Sequence, residues 1–267
     1  MEKNSNKKTA VVVGGSSGIG YETCIKLVNR GWNVVNVSRT PCKHAKVTNI
    51  AADVADGKAL DAAIKKAAGK SGIAVLIYSA GFSMAAPIEY AKEEDYKYLF
   101  EVNFFGALRA MQSAIPHMKS KGGRIILVGS LAGELPVSFD SFYSASKAAL
   151  EMLCRAAYSE LKPYNIKVTG VLPGGTATGF TFKRKVYTEG ESGNYSSNVN
   201  KAVAALANME QSGMSPAEVG EIIYNLLSLD KPPVIKICGT KNTVYRLFSR
   251  IMPEKVTLNI NDRMYNQ

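Results

Sequence analysis

The run Thr9-Ala10-Val11-Val12-Val13 is one strand long and passes straight into Gly14-Gly15-Ser16-Ser17-Gly18-Ile19-Gly20, after which a helical pattern begins. That junction constrains the fold more than anything else in the chain. A strand that turns on glycines into a helix places the free N–H groups and partial positive charge of the helix N-terminus beside bare backbone. In strand–turn–helix context this is a dinucleotide site, formed here by Gly14, Ser16, Ser17, Gly18, Ile19 and Gly20. Gly14 permits the tight turn, Gly18 lets backbone approach a pyrophosphate, and Gly20 allows the helix to pack close on the strand.

The rest of the chain keeps this alternation. Strand-like runs fall near 10–13, 33–37, 46–50, 74–78, 124–129, 167–172 and 234–238. Helical patterns fall near 19–30, 57–68, 93–119, 142–161 and 216–228. Strand–helix alternation specifies a parallel sheet with crossover helices, and strands that are nearly all apolar need both faces covered. The expected fold is α/β: a Rossmann-type doubly wound parallel sheet of about seven strands with helices on both faces. A chain of 267 residues accommodates this as a single domain over 1–267. Two regions break the rhythm. Residues 179–213 form a long connection expected to act as a substrate lid. The tail from about 241 to 267 is amphipathic, with Val244, Leu247, Phe248 and Ile251 at helical spacing before Pro253 and a second pattern after it.

Reaction chemistry is concentrated in Tyr143-Ser144-Ala145-Ser146-Lys147 and in Ser130, which closes the apolar run Ile125-Ile126-Leu127-Val128-Gly129. Positions four apart share a helix face, so Lys147 and Tyr143 can meet one ligand. A phenol ordinarily titrates near ~10, and a neighbouring ammonium is expected to lower that value. Tyr143 would then donate a proton to a carbonyl oxygen as hydride arrives, with Ser130 hydrogen-bonded to the developing alkoxide. The same spacing recurs at Tyr158 and Lys162, but near the end of the helical pattern, before Pro163 and away from the strand-end hydroxyl. At the end of the second strand, Val37-Ser38-Arg39-Thr40 offers no carboxylate to bind ribose hydroxyls. Ser38 and Arg39 suit a 2′-phosphate instead, so the expected cofactor is NADP(H) and the expected direction is reduction.

The spacing Gly-x-x-x-Gly-x-Gly, together with Ser130, Tyr143 and Lys147, resembles the short-chain dehydrogenase/reductase family. The likeness is close over residues 9–178 and looser beyond. It implies that Asp53 and Val54 border the adenine and that Ala80 and Gly81 belong to the cofactor site. It also implies that Pro173, Gly174, Thr176 and Thr178 lie beside the nicotinamide. By the same likeness Asn103 completes a catalytic set with Ser130, Tyr143 and Lys147, on a water-linked proton path. Lys147 would also hold the nicotinamide ribose. Tyr78-Ser79 departs from the family's usual Asn-Asn before Ala80-Gly81. The segments 142–151 and 161–168 are similar to the hydroxysteroid and retinol dehydrogenase branch. They imply an apolar steroid-, retinoid- or lipid-like ketone or secondary alcohol, with Leu131, Ala132, Gly133, Phe82, Ser83, Met84, Phe180 and Phe182 shaping its pocket. The family also implies a homodimer or homotetramer built on the helices 93–119 and 142–161.

Composition narrows the remaining classes. The four cysteines and two histidines have no ligand spacing, so no metal is expected, and the thiols suit a reducing compartment. Met1–Lys8 is polar and no run reaches the ~20 apolar residues of a spanning helix, which leads to a cytoplasmic expectation. The net charge of +11 is dispersed and lacks a recognition motif, so nucleic acid is not expected as a partner. A polyanionic cofactor, an acidic substrate or an anionic membrane would each suit that charge. For the tail, packing on its own domain, docking on a partner subunit and peripheral membrane contact all remain open. Two alternative functions share the fold: a non-catalytic NADP(H)-binding regulator, and a reductase of an acyl-carrier-linked ketone, against which the absence of a terminal Asp-Gly-Gly argues.

Overall fold

A computed structural model describes residues 7–265; most of the polar segment Met1–Lys8 and the last two residues of the tail lie outside the described residues. The strands are β1 (Thr9–Val13), β2 (Asn33–Val37), β3 (Val47–Ile50), β4 (Val75–Tyr78), β5 (Met84–Ala85), β6 (Gly123–Val128), β7 (Ile166–Leu172), β8 (Lys185–Val186) and β9 (Ile235–Ile237). The helices are α1 (Gly18–Asn29), α2 (Gly57–Ala68), α3 (Glu93–Phe100), α4 (Gly106–Ala114), α5 (Ser141–Glu160), α6 (Glu189–Ser192), α7 (Ser196–Gln211), α8 (Pro216–Ser228), α9 (Thr240–Ile251) and α10 (Glu254–Tyr265). Seven strands form one parallel sheet in the order β3-β2-β1-β4-β6-β7-β9, with β5 and β8 paired separately.

Strand β1 shows why the alternation folds this way. Val11 and Val13 face a core shared with Leu60 and Ile64 of α2, Ala107 of α4 and Leu150 of α5. Ala10 and Val12 face the opposite core, against Leu27 of α1 and Ile223 of α8. A strand buried on both faces cannot alternate polar and apolar residues, which accounts for its continuous valines. After β3 the chain crosses back to the other side of β1, so β1 and β4 flank the topological switch point. In sheets of this kind ligands bind beyond the carboxyl ends of the strands at that crevice.

Two regions differ from the sequence reading. The expected helix 93–119 is divided by a π-helical stretch at Glu101–Phe105 and ends in a 3₁₀ turn at Ile115–His117 containing Pro116. Proline there removes a helical donor and tightens the chain out of the α conformation. The connection 179–213 contains the sixteen-residue α7, which buries Val199, Ala202 and Leu206. That apolar stripe is narrow within a polar stretch, which is why the helix escapes notice in the sequence. The tail is two helices, α9 and α10, and among the described residues no helix is long and apolar enough to cross a membrane.

Candidate active site

The glycine turn is fixed from below by the strands. The Gly14 N–H donates to the Val37 carbonyl at 2.9 Å, and the Ser79 N–H donates to the Val13 carbonyl at 2.8 Å. Gly14 has φ +86°, and a Cβ there would meet the Ala80 nitrogen at 2.6 Å. A Cβ on Gly20 would lie 2.2 Å from the Gly14 carbonyl oxygen, so the strand–helix contact excludes any side chain. The Gly15 N–H donates to Oδ1 of Asn36 at 2.9 Å, and Asn36 is fully buried in β2. Sequence reasoning missed Asn36, yet a polar residue inside a strand covered on both faces is a usable signal. Helix α1 begins at Ser17 with no side-chain cap and no acidic residue in its first turn, leaving its N–H groups and dipole for an anion.

A cavity of about 690 Å³ runs from this turn across the sheet ends to Ser130, Tyr143 and Lys147. Of the site residues expected from sequence, all but Gly20 and Asn103 lie on its wall. At one end Arg39 is exposed, with Nη1 3.7 Å from the Asp53 carboxylate and 3.3 Å from the Tyr98 hydroxyl. Ser38 Oγ donates to the Thr40 carbonyl at 2.6 Å. Val54, Ala80 and Gly81 form the adjoining wall, and Pro173, Gly174, Thr176 and Thr178 the far side. Lys183 reaches from the lid to Ser17 Oγ at 3.1 Å, a second cation at the glycine turn. Its place could not be read from sequence because it depends on how the lid folds back. A bare turn, uncapped helix and two flanking cations fit the phosphates and ribose of a dinucleotide.

At the other end Ser130 lies two residues beyond β6, its Oγ accepting from the Ala132 N–H at 3.2 Å, and Tyr143 lies in the first turn of α5 on the same cavity wall. Burial raises the Tyr143 phenol above its ordinary range; the Ser130 hydroxyl works against this, and Asp140 and Glu210 add to it. This corrects the expectation that Lys147 lowers it. The Lys147 ammonium lies 5.6 Å from the centre of the Tyr143 ring and donates to the Val128 carbonyl at 3.0 Å. Burial instead pulls Lys147 itself down to about 8. At neutral pH Tyr143 is therefore a protonated phenol.

Asn103 lies in the π-helical stretch, a geometry that recurs at functional positions. Its Oδ1 accepts from the Phe82 N–H at 3.1 Å, while Nδ2 donates to the Phe82 carbonyl at 2.9 Å and to Ser146 Oγ at 3.0 Å. The side chain thus joins the loop after β4 to α5. The unusual Tyr78 is also accounted for: its hydroxyl donates to the Val102 carbonyl, and Gly106 leaves room for its Oη. It ties β4 to the same stretch that carries Asn103.

The substrate half of the cavity is walled by Leu131, Ala132, Phe82 and Phe180 as expected. Gly133, Ser83 and Met84 do not reach the wall, and Phe182 is 87% exposed. The 3₁₀ turn at Thr181–Lys183 rotates Phe182 away from Phe180, whose ring packs 5.7 Å from that of Tyr143. Sequence reasoning missed a buried polar group here. Arg184 pairs with Glu210 at 2.5 Å and donates to Ser83 Oγ at 2.7 Å, beside Asp140, whose carboxyl burial raises to about 8. The tail also enters the wall, through Asn242, Tyr245, Asn261, Met264 and Tyr265. Among the described residues no cluster of His, Cys, Asp or Glu could hold a metal ion.

The family described as short chain dehydrogenase matches residues 8–186. A 3-ketodihydrosphingosine reductase of Bacteroides thetaiotaomicron is 31% identical over 84% of this chain and 84% of its own. An NADPH-dependent 1-acyldihydroxyacetone phosphate reductase of Saccharomyces cerevisiae is 33% identical over 67% of this chain and 64% of its own. Among solved structures, a short-chain dehydrogenase from Streptomyces avermitilis superposes with a TM-score of 0.81 at 25% identity, covering 97% of this chain and 96% of that one.

Proposed function

The chain belongs to the short-chain dehydrogenase/reductase family, and on that basis we propose that it is an NADP(H)-dependent reductase of an apolar, lipid-like ketone. The observation that carries this reading is that Tyr143, Ser130 and Lys147 converge on the wall of the cavity that begins at the glycine turn. A bound nicotinamide nucleotide supplies the hydride. Tyr143 gives its proton to the substrate oxygen, and Ser130 holds that oxygen and stabilises its developing charge. Lys147, anchored on the Val128 carbonyl beside the Tyr143 ring, would hold the nicotinamide ribose. Asn103 keeps the loop at Gly81–Phe82 and helix α5 in register and links Lys147 to solvent through water.

NADP(H) preference rests on Ser38 and Arg39, with Lys183 as a further cation on the phosphate side. The lipid-like substrate rests on the apolar walls around Leu131, Ala132, Phe82 and Phe180, and on two relatives whose names describe reductases of lipid ketones. Exposed Phe105, Met152 and Tyr158 on α4's approach and on α5 support a homodimer or homotetramer through those helices. The test is cofactor oxidation with NADPH and with NADH over long-chain ketones, ketosteroids, retinal and an acyl-carrier-linked ketone. NADPH-dependent turnover of a lipid ketone is expected, with the preference reversed in Arg39→Asp. An Arg39→Asp variant that still prefers NADPH removes the cofactor assignment. NADPH binding without turnover of any ketone favours the regulator.

A further inference from the structure

Helix α9 is amphipathic in the reverse of the usual sense. Asn242, Tyr245, Arg246 and Ser249, spaced as one helical stripe, face the body of the protein. Asn242 Nδ2 donates to the Cys238 carbonyl at 2.7 Å, the Tyr245 hydroxyl donates to Asn261, and Arg246 forks onto the Glu134 carboxylate. The opposite stripe, Val244, Leu247, Phe248 and Ile251, points outward. Val244 and Leu247 are 61% exposed and Ile251 is 71% exposed. The inward polar contacts fix the rotation of the helix, so this stripe cannot turn into the core. Val256 and Leu258 of α10 are exposed as well. Contiguous exposed apolar surface of this kind marks an interaction site rather than ordinary solvent-facing structure.

The charge around the stripe identifies its partner. Lys241 lies in the first turn of α9 and Lys255 follows Glu254 at the start of α10, both exposed, while Arg250 in the last turn of α9 is exposed with its guanidinium 3.3 Å from the Glu134 carboxylate. The whole chain carries +11. Apolar side chains flanked by lysine and arginine suit the interface of an anionic bilayer, where the apolar face enters the acyl boundary and the cations meet headgroups. The two tail helices also wall the cavity, through Asn242 and Tyr245 of α9 and Met264 of α10. We propose that α9 docks this protein peripherally on anionic membranes through Val244, Leu247, Phe248 and Ile251. The catalytic cavity is thereby held beside the bilayer. The proposal concerns a surface and stands independently of which ketone is reduced.

The experiment is flotation of the full chain with vesicles of phosphatidylcholine alone and of phosphatidylcholine with phosphatidylglycerol. Binding to the anionic vesicles only is expected, weakened by salt. Leu247→Glu with Ile251→Glu should reduce it by roughly a hundredfold or more, since each lost apolar insertion is worth about a factor of ten. Neither residue lines the cavity, so NADPH binding and the circular dichroism spectrum should stay as in the parent, which shows the variant to be folded. Lys241→Glu with Lys255→Glu should weaken binding without touching the apolar stripe. Three results overturn the proposal: no flotation with anionic vesicles, equal flotation with both kinds, or a double apolar variant that still floats. Sedimentation velocity adds a fourth, because a lower oligomeric state in Leu247→Glu with Ile251→Glu assigns the stripe to contact between copies.

Discussion

Replacing Glu134 by Gln tests whether the tail is part of the active site. Glu134 follows the turn after Ser130 and accepts two hydrogen bonds from Arg246 of α9, with Arg155 and Arg250 also in reach. Burial opposes ionisation of this carboxyl, but Arg246 overrides it and holds the group below the usual carboxylate range. Its contribution is therefore present above the ordinary value of 4.5 and is lost only as pH falls through the lower folded value. Glutamine keeps one acceptor and removes the charge. Charge-assisted hydrogen bonds contribute roughly 1.5–3 kcal/mol each, so the change costs about 2 kcal/mol after allowance for the retained acceptor. That corresponds to roughly 30-fold in the equilibrium between docked and released tail. Asn242, Tyr245, Asn261, Met264 and Tyr265 would then leave the cavity wall part of the time. Hydrogen exchange over residues 240–265 should accelerate by about that factor, and KM for an apolar ketone should rise while NADPH affinity is unchanged. Unchanged exchange in the tail, with parental KM, would refute the reasoning.

Gly14→Ala places a Cβ 2.6 Å from the Ala80 nitrogen at φ +86°. It should abolish NADPH binding measured by nucleotide fluorescence, and parental affinity would contradict the turn's role. Asp140→Asn keeps an acceptor for the Met84 N–H and removes a carboxyl that burial raises from 3.8 to about 8. Between those values the folded protein binds the extra proton, so parental stability falls as pH rises toward about 8 and then levels. The variant should gain on the parent in urea unfolding by about 1.4 kcal/mol per pH unit across that window. A pH-independent difference would show that Asp140 is ionised throughout.

Most of the sheet was legible because β1, β2 and β4 are short, apolar and bounded by turns, and because α2 and α8 announce their ends. Asp56 caps α2 through the Lys58 and Ala59 N–H groups, and Ser215 with Glu218 forms a capping box on α8. That the residues around the glycine turn share one cavity was legible for the same reason: they lie at strand ends, whose order along the chain fixes their place in the sheet. The substrate half was not. Arg184, Glu210 and Asp140 are separated in sequence and meet only once the lid folds over α5. The orientation of α9 was equally hidden, since periodicity shows an apolar stripe but not which stripe faces the body. The behaviour of Tyr143 and Lys147 depended on burial, which spacing does not reveal.

If Tyr143 is the proton donor in ketone reduction by NADPH, Tyr143→Phe removes the transferable proton and nothing else the reaction uses. The substitution removes one hydroxyl from a buried ring and leaves its packing on Phe180. General acid catalysis is worth about a hundredfold or more. In steady-state NADPH oxidation with a turned-over lipid ketone, kcat should fall by at least that factor while NADPH binds as in the parent. Turnover near the parental rate would contradict the account.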